Sequence, residues 1–345
     1  MANQREIAQK LGLTQATVSM ALRDHPLVAA ETKKRVQEAA RKMGYRASPF
    51  VTTLMARIRA GRAPQSLGCI AILLDNASKE EWLAQERNTY TAQYAGYQRR
   101  AALRGYRTEC FCLRGPGMSD EAIDRQLHAR GIIGVILAAP KHAQRPAVRL
   151  RWENYACATV SYTWTSPVVD RVSSHHRHNM DHAFARLVKR GCRRIGFCLP
   201  KNAVRGVDAN WIAGYLVAQA QIPKARRLPV FVGTIHDTPL ATFRAWHKRW
   251  KPDGLVTLLG EEARWLETMG VSPLARGGDA GGGGTLLVCL NRPANSPFPG
   301  IDENNTLVGE MACDLVVNQL THNERGLPEH RREILVEGAW VEPRR

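Results

Sequence analysis

Along the first 45 residues apolar positions recur every three or four places. Ile7, Ala8 and Leu11 share one helical face, Val18, Ala21 and Leu22 a second, and Val36, Ala39, Ala40 and Met43 a third. The pattern predicts three short helices. Asn3 followed by Glu6 resembles a capping box for the first, and Gly12 stops it. Thr14 can cap the second helix by accepting a backbone N–H bond. The third runs from about Ala30 to Met43 with Gly44 as its stop. From Leu67 onward the period changes. Unbroken apolar runs such as GCIAILL, GVILAAP, RRIGFCL, GLVTLL and TLLVCL alternate with helical ones such as YTAQYAGYQRRAALRGY and MDHAFARLVKRG. This alternation builds parallel sheets covered by helices on both faces, an α/β architecture that binds ligands at the carboxyl ends of its strands.

Composition sharpens this picture in two ways. A hydrophobic content of 44% over 345 residues supports buried cores in two or three units and excludes a disordered chain. The formal charge of +18 points to a polyanionic partner, and residues 1–66 alone hold 12 Lys+Arg against 4 Asp+Glu. MANQREIAQ contains no signal-peptide core, and no run of about 18 apolar residues occurs, so a cytoplasmic, nucleoid-associated protein without membrane partners is expected. The eight cysteines form no CxxC pair and sit mostly in apolar strand-like runs, the habit of reduced cysteine used as a small hydrophobe.

Three short helices with so few large apolar residues make a meagre core, so the outward face matters. On the second helix that face is Gln15, Ala16, Ser19, Met20 and Arg23, with Thr17 at the flank. Small and polar residues at a helix N-terminus can enter the major groove without steric conflict. Gln can hydrogen-bond adenine bidentately, while Ala and Met can touch thymine methyls. The third helix adds Lys33, Lys34, Arg35, Arg41 and Lys42, suited to phosphates. A plain helical hairpin with a solvated charged face remains the competing reading at this level.

The spacing decides between them. IAQKLGLTQATVSMAL followed by ETKKRVQEAARKMGYRASP resembles the DNA-binding head of the lactose-repressor (LacI/GalR) family of bacterial transcription regulators. The resemblance implies that residues 1–48 form a helix-turn-helix domain in which Gln15, Ala16 and Met20 read bases. Thr14, Thr17, Ser19, Arg23 and Lys33 would hold phosphates. Two departures stand out: Met20 replaces an Arg that reads guanine in most members, and Ala29 replaces the Ser that caps the third helix. Residues 49–65 would be a hinge helix that pairs in the minor groove, with Leu54 wedging between base pairs and Arg57 beside it.

KRGCRRIGF, GIDENNTLVGEMACDLVVNQL and LVEGAWVEP resemble the family's two-lobed, periplasmic-binding-protein-like effector and dimerisation domain at 66–345. The implied lobes are about 66–163 with 300–325, and 164–299 with 326–345. Effector-binding candidates at the strand ends are Asp75, Asn76, Tyr162, Trp164, Trp211, Gly260, Glu261 and Asn291. By the resemblance Trp211 stands where a sugar-clamping Arg would be, and His175-His176 replace an Asp–Asn pair.

Other features carry no chemistry. His175, His178 and His182 share a helix face but have no acidic or cysteine partner at motif spacing, so no metal is expected. ARGGDAGGGGT lacks the Lys-Ser/Thr of a phosphate loop and reads as a flexible insertion. Ser161, Asp170 and His175 fit no nucleophile motif. No catalytic residue and no cofactor is expected. The whole points to a homodimeric, sequence-specific repressor on a near-palindromic DNA operator, tuned by a sugar-like small molecule. The alternative is an architectural DNA-binding protein with a vestigial cleft.

Overall fold

The computed structural model describes residues 4–22, 28–43, 45, 67–84, 89–140, 147–164, 166–201, 209–274 and 284–343. Asn3, Arg23, Gly44, the hinge read at 49–65 with Leu54 and Arg57, and most of the glycine-rich run lie outside them. A division falls between Leu67 and Gly68.

The small unit consists of α1 (Gln4–Leu11), α2 (Gln15–Leu22) and α3 (Ala30–Lys42). Its core is Ile7, Ala8, Val18, Ala21, Val36, Ala39 and Ala40, residues at helical spacing, joined by Val28 from the stretch before α3, with Leu11, Leu22 and Met43 partly buried against them. Gly12 ends α1 with φ +65°, a conformation that costs a side chain strain. Its N–H bonds Gln9 O, and Leu13 N–H bonds Ala8 O at 2.9 Å, closing a Schellman motif. Thr14 Oγ1 accepts from Thr17 N–H at 3.1 Å and so caps α2. Ala29 precedes α3 with cap-like angles, φ −59° and ψ 142°, but contributes no side-chain bond.

The large unit contains two α/β lobes. The first sheet joins β1 (Gly68–Leu74), β2 (Tyr106–Cys112), β3 (Gly134–Leu137), β4 (Ala156–Val160), β5 (Asp170–Ser174) and β12 (Glu333–Val336), all parallel, in the order β12-β5-β4-β3-β1-β2. GCIAILL has no polar alternation because both of its faces are covered. Ile70, Ile72 and Leu74 point into one core with helices α5 (Thr89–Leu103) and α11 (Asn305–Thr321). Ala71 and Leu73 point into another, with helix α6 (Asp120–Ala129). A short helix, α4 (Lys79–Leu83), buries Trp82 in the first of these. α5 and α11 cross closely: a Cβ at Gly96 would collide with the main-chain oxygen of Thr306.

The second sheet follows the order β13-β11-β10-β8-β6-β7, with β9 (Pro273–Leu274) also on β10 (Thr285–Cys289). Its remaining strands are β6 (Ile195–Leu199), β7 (Phe231–Val232), β8 (Gly254–Thr257), β11 (Gly300–Asp302) and the antiparallel edge β13 (Ala339–Val341). Leu286 and Val288 face α7 (His176–Lys189) and α8 (Asn210–Ala220), while Leu287 and Cys289 face α9 (Leu240–Trp250) and α10 (Ala263–Thr268). All eight cysteines are free, and burial raises their thiols, Cys289 to about 12.

The lobe boundaries inferred from the resemblance need correction. β5 lies beyond residue 163 yet pairs with β4, and its Val172 joins the first lobe's core. β12, placed in the second lobe, docks on β5 because buried Asp170 binds Arg332. β11, placed in the first lobe, pairs with β10. The chain therefore crosses between lobes near residues 175, 304 and 338. The crossings are stitched together: His175 N–H bonds Val336 O at 2.7 Å, Asn304 Nδ2 bonds Glu337 O at 2.8 Å, and Ser174 Oγ bonds Glu303 O at 3.3 Å.

Candidate DNA interface and interlobe cavity

In the small unit, α2 buries Val18 and Ala21 and leaves Thr14, Gln15 and Ala16 exposed at its N-terminal end. Thr17 and Ser19 are half-buried. The Thr14 and Thr17 hydroxyls lie 2.8 Å apart, so the cap that shapes the helix start also presents both side chains there. Met20 differs from the other proposed base readers. It is half-buried and packs against the three-helix core, which leaves only part of its side chain for a groove. Lys33 is half-buried on α3, and Lys34, Arg35, Arg41 and Lys42 are exposed along it. Gln4 Nε2 donates to the Tyr45 hydroxyl at 2.7 Å, tying the start of α1 to the residues after α3.

The large unit contains a cavity of about 540 Å³ where its two lobes meet. Thr89 and Ala92 of α5 and Thr306 and Leu307 of α11 line it from the first lobe. Leu259, Asn291 and Arg292, which follow β8 and β10, line it from the second, with Asp302 and Asn304 at a crossing. Asn291 Nδ2 donates to Thr89 Oγ1 at 2.9 Å and bridges the lobes across 202 residues of sequence. Gln93 Nε2 donates to Asn305 Oδ1 at 3.2 Å nearby. Arg292 belongs to the wall as a staple: its guanidinium donates to Phe298 O and Ser296 O. Glu342 is on the rim. Partial burial pulls its carboxyl upward, but hydrogen bonds from Arg190 and Trp340 outweigh that and hold it below the usual range.

Of the effector candidates, the structure brings only Asn291 to this cavity. Asp75 is paired with Arg114 at 2.7 Å, and Asn76 is buried beside it. Trp164 belongs to the first lobe's core, with Nε1 donating to Ala138 O at 2.7 Å. Gly260 has φ +89° and packs near Cys289 and Phe298. Glu261 lies 3.3 Å from His236 on the second lobe. Tyr162 lies under the Arg171 guanidinium at 4.4 Å, with its ring 6.2 Å from that of His176. Trp211 is buried in the second lobe's core, edge-on to His176 at 4.7 Å, and its Nε1 has no partner among the described residues. A Trp at this position fills space that a guanidinium would leave polar.

Sequence reasoning missed the buried chain Ser173–His176–Glu303. His176 Nδ1 lies 3.0 Å from Glu303 Oε1, and its Nε2 lies 3.4 Å from Ser173 Oγ. His176 was visible as a departure from the family pattern, but nothing local pointed to a carboxylate 127 residues downstream. His175 caps α7 by accepting from His178 N–H, which makes the histidine cluster a helix start. Among the described residues no group of three or more potential metal ligands is found.

Residues 4–48 match the family model described as "Bacterial regulatory proteins, lacI family". The HTH-type transcriptional regulator AglR of Rhizobium meliloti (strain 1021) is 54% identical over 44 residues. That match covers 13% of this chain and only 12% of the relative's length. The structure of a transcriptional regulator CelR–cellobiose complex aligns over 99% of this chain and 98% of its own, at 17% identity and a TM-score of 0.57. The Lac repressor bound to ONPG aligns over the same shares, at 16% identity and a TM-score of 0.56. These identities show a shared fold. Residues 4–48 of the chain thus match the lacI family of bacterial regulatory proteins, and the chain as a whole shares the fold of the solved CelR and Lac repressor regulators.

Proposed function

We propose that the protein is a sequence-specific, homodimeric transcription repressor that binds a near-palindromic DNA operator. The observation that carries this reading is the exposed N-terminal end of α2, where Gln15 and Ala16 stand clear of the core on a capped helix. Gln15 reads adenine through its amide, Ala16 touches a thymine methyl, and Met20 contributes an apolar edge. Thr14, Thr17, Ser19, Arg23 and Lys33 hold phosphates and set the register. Leu54 and Arg57 act in the minor groove, where two hinge segments meet at the centre of the site. The interlobe cavity takes a small polar metabolite of the sugar class. Its amides and hydroxyls (Asn291, Asn305, Thr89 and Thr306) suit a polyhydroxylated ligand. A ligand bridging the lobes changes their spacing and hence DNA affinity. The protein acts in the cytoplasm.

Selecting bound fragments from random duplex DNA, with and without metabolite extract, tests both parts. A palindromic motif that is enriched only without extract, or only with it, is the expected outcome. No enrichment over scrambled competitor overturns the reading.

A second reading keeps the DNA-binding head but gives the cavity no effector. The packing of Trp211 against His176 favours it, because the residue at the position the resemblance gives to a sugar-clamping Arg is spent in the second lobe's core and does not line the cavity. A thermal-shift screen of sugars and nucleobases separates the two: stabilisation by any one of them removes the second reading.

A further inference from the structure

The charge of the chain has a second concentration, far from the head in sequence. Residues 186–251 hold 14 Lys+Arg and 2 Asp+Glu, a net +12 out of the chain's +18. With the head's net +8 set aside as well, everything else nets −2. The excess is therefore not a general property of the surface.

Among the described residues the fold collects much of this charge at one pole, although Lys201 lies beyond the opposite, carboxyl end of β6. β6 pairs parallel with both β7 and β8, so the segments leading into the three strands lie at the same end of the sheet, beside the C-terminal ends of α7, α8 and α9. Arg194 makes the convergence explicit. Its side chain donates to Trp250 O at 2.8 Å and to Ala225 O at 3.2 Å, and its backbone N–H donates to Asp253 Oδ1 at 2.8 Å. Around this tie stand Lys189, Arg193, Lys224, Arg226, Lys248 and Lys251, all exposed. None of the six has an ion-pair partner among the described residues. The carboxylates close by are occupied: Asp253 accepts from the backbone N–H groups of Arg193 and Arg194, and Glu342 holds Arg190. Leu259 and Asn291 of the cavity wall follow the opposite, carboxyl ends of β8 and β10, while Glu342 on its rim is the group that holds Arg190.

Complementing helix dipoles explains Lys189 and Lys248, which sit in last turns. The same effect covers Lys251, the C-cap of α9, but not Arg193, Lys224 and Arg226, which lie in the connections beyond the helices. An ordinary solvated surface interleaves both signs, whereas this one repels itself and lowers the stability of its own lobe. Such an arrangement suits a polyanion with closely spaced charges. We propose that the amino-terminal pole of the second lobe is a sequence-independent binding surface for the phosphate backbone of duplex DNA, separate from the head. The choice of duplex DNA among polyanions rests on the function proposed above. The surface would let one protein hold a second DNA segment while its head reads the first.

The test uses the full-length chain and a mixed-sequence duplex. Lysine acetylation read by mass spectrometry is expected to show Lys189, Lys224, Lys248 and Lys251 protected by the duplex, alongside Lys33 and Lys34 of the head. Replacing Lys189→Gln, Lys224→Gln, Arg226→Gln and Lys248→Gln together is expected to reduce the salt slope of binding. The slope falls by about 0.9 for each phosphate no longer neutralised, and so by about 3 to 4 in all. Protection confined to Lys33 and Lys34 overturns the inference and leaves the head's role standing. No protection anywhere overturns both. Protection of the pole by heparin or anionic vesicles, with none by duplex, also overturns the inference. Because acetylation is read on the unmodified chain, the test does not depend on the variant folding.

Discussion

Ala29→Ser tests whether the head is underbuilt at a nameable atom. Ala29 sits at the start of α3 with φ −59° and ψ 142°, and its carbonyl already accepts from Lys33 N–H at 3.0 Å. A serine could adopt that backbone unchanged. Its hydroxyl would lie where it can accept from Glu31 or Thr32 N–H, which the α-helix itself leaves without partners. A cap of this kind contributes about 1 kcal/mol, or about a fivefold shift in a local unfolding equilibrium. In a unit whose core contains four alanines among eight buried residues, that is a large fraction of the available stability. Amide hydrogen exchange on the free full-length protein is the assay. Amides of residues 30–42 should exchange about fivefold more slowly in the variant, while those of β1, β3 and β10 keep their rates. Ala29→Val, which fills the same space without an acceptor, should produce no slowing. Equal exchange in Ala29→Ser and the parent chain, or equal slowing in Ala29→Val, would refute the reasoning.

The other predictions concern recognition, bending and the stability of the lobes. Met20→Arg should shift selected DNA sites toward a guanine at one symmetric pair of positions; an unchanged motif means the reading register is misplaced. Leu54→Ala should weaken specific binding and reduce the bend measured by circular permutation of the bound fragment, and parental bending counts against the wedge. Arg332→Met leaves the fully buried Asp170 carboxylate without a counter-charge, held among the described residues only by Gln319 Nε2 and the backbone N–H of residue 332, and should cost about 3 kcal/mol in urea unfolding. Adding Asp170→Asn should recover much of that loss, and an additive double variant would contradict the pairing. His175, His182 and His247 have pKa values lowered from 6.5, chiefly by burial, with neighbouring cations adding to the effect at the first two. A histidine held neutral in the fold contributes stability above pH 6.5 that is lost as pH falls below it. The thermal midpoint of the second lobe should therefore drop on acidification, and less so in His247→Gln. A midpoint that rises over the same interval contradicts that sign.

The head was readable because its information is local. Ile7, Val18 and Val36 lie on the inner faces of helices whose period is written in the chain, and Gly12 and Thr14 act on neighbours within five residues. The unbroken apolar runs announced parallel strands for a similar reason, since both faces of such a strand are buried. The effector site is not written locally. Asp75, Trp164 and Glu261 all stand near strand ends, as expected, yet each is engaged elsewhere: in an ion pair with Arg114, a bond to Ala138 and a contact with His236.

Periodicity and short-range caps could specify the elements, their parallel arrangement and the outward face of α2, since each depends on residues within a turn or two of one another. Which strand belongs to which lobe, what surrounds the cavity and where the basic pole gathers depended on pairings made across long stretches of chain. Asn291 meets Thr89 over 202 residues, Arg332 meets Asp170 over 162, and Arg194 meets Trp250 over 56. Such pairings are selected by the packing of whole sheets and by the need to satisfy buried charges. No local pattern records them, because the groups involved become neighbours only when the sheets, and for Asn291 and Thr89 both lobes, have formed.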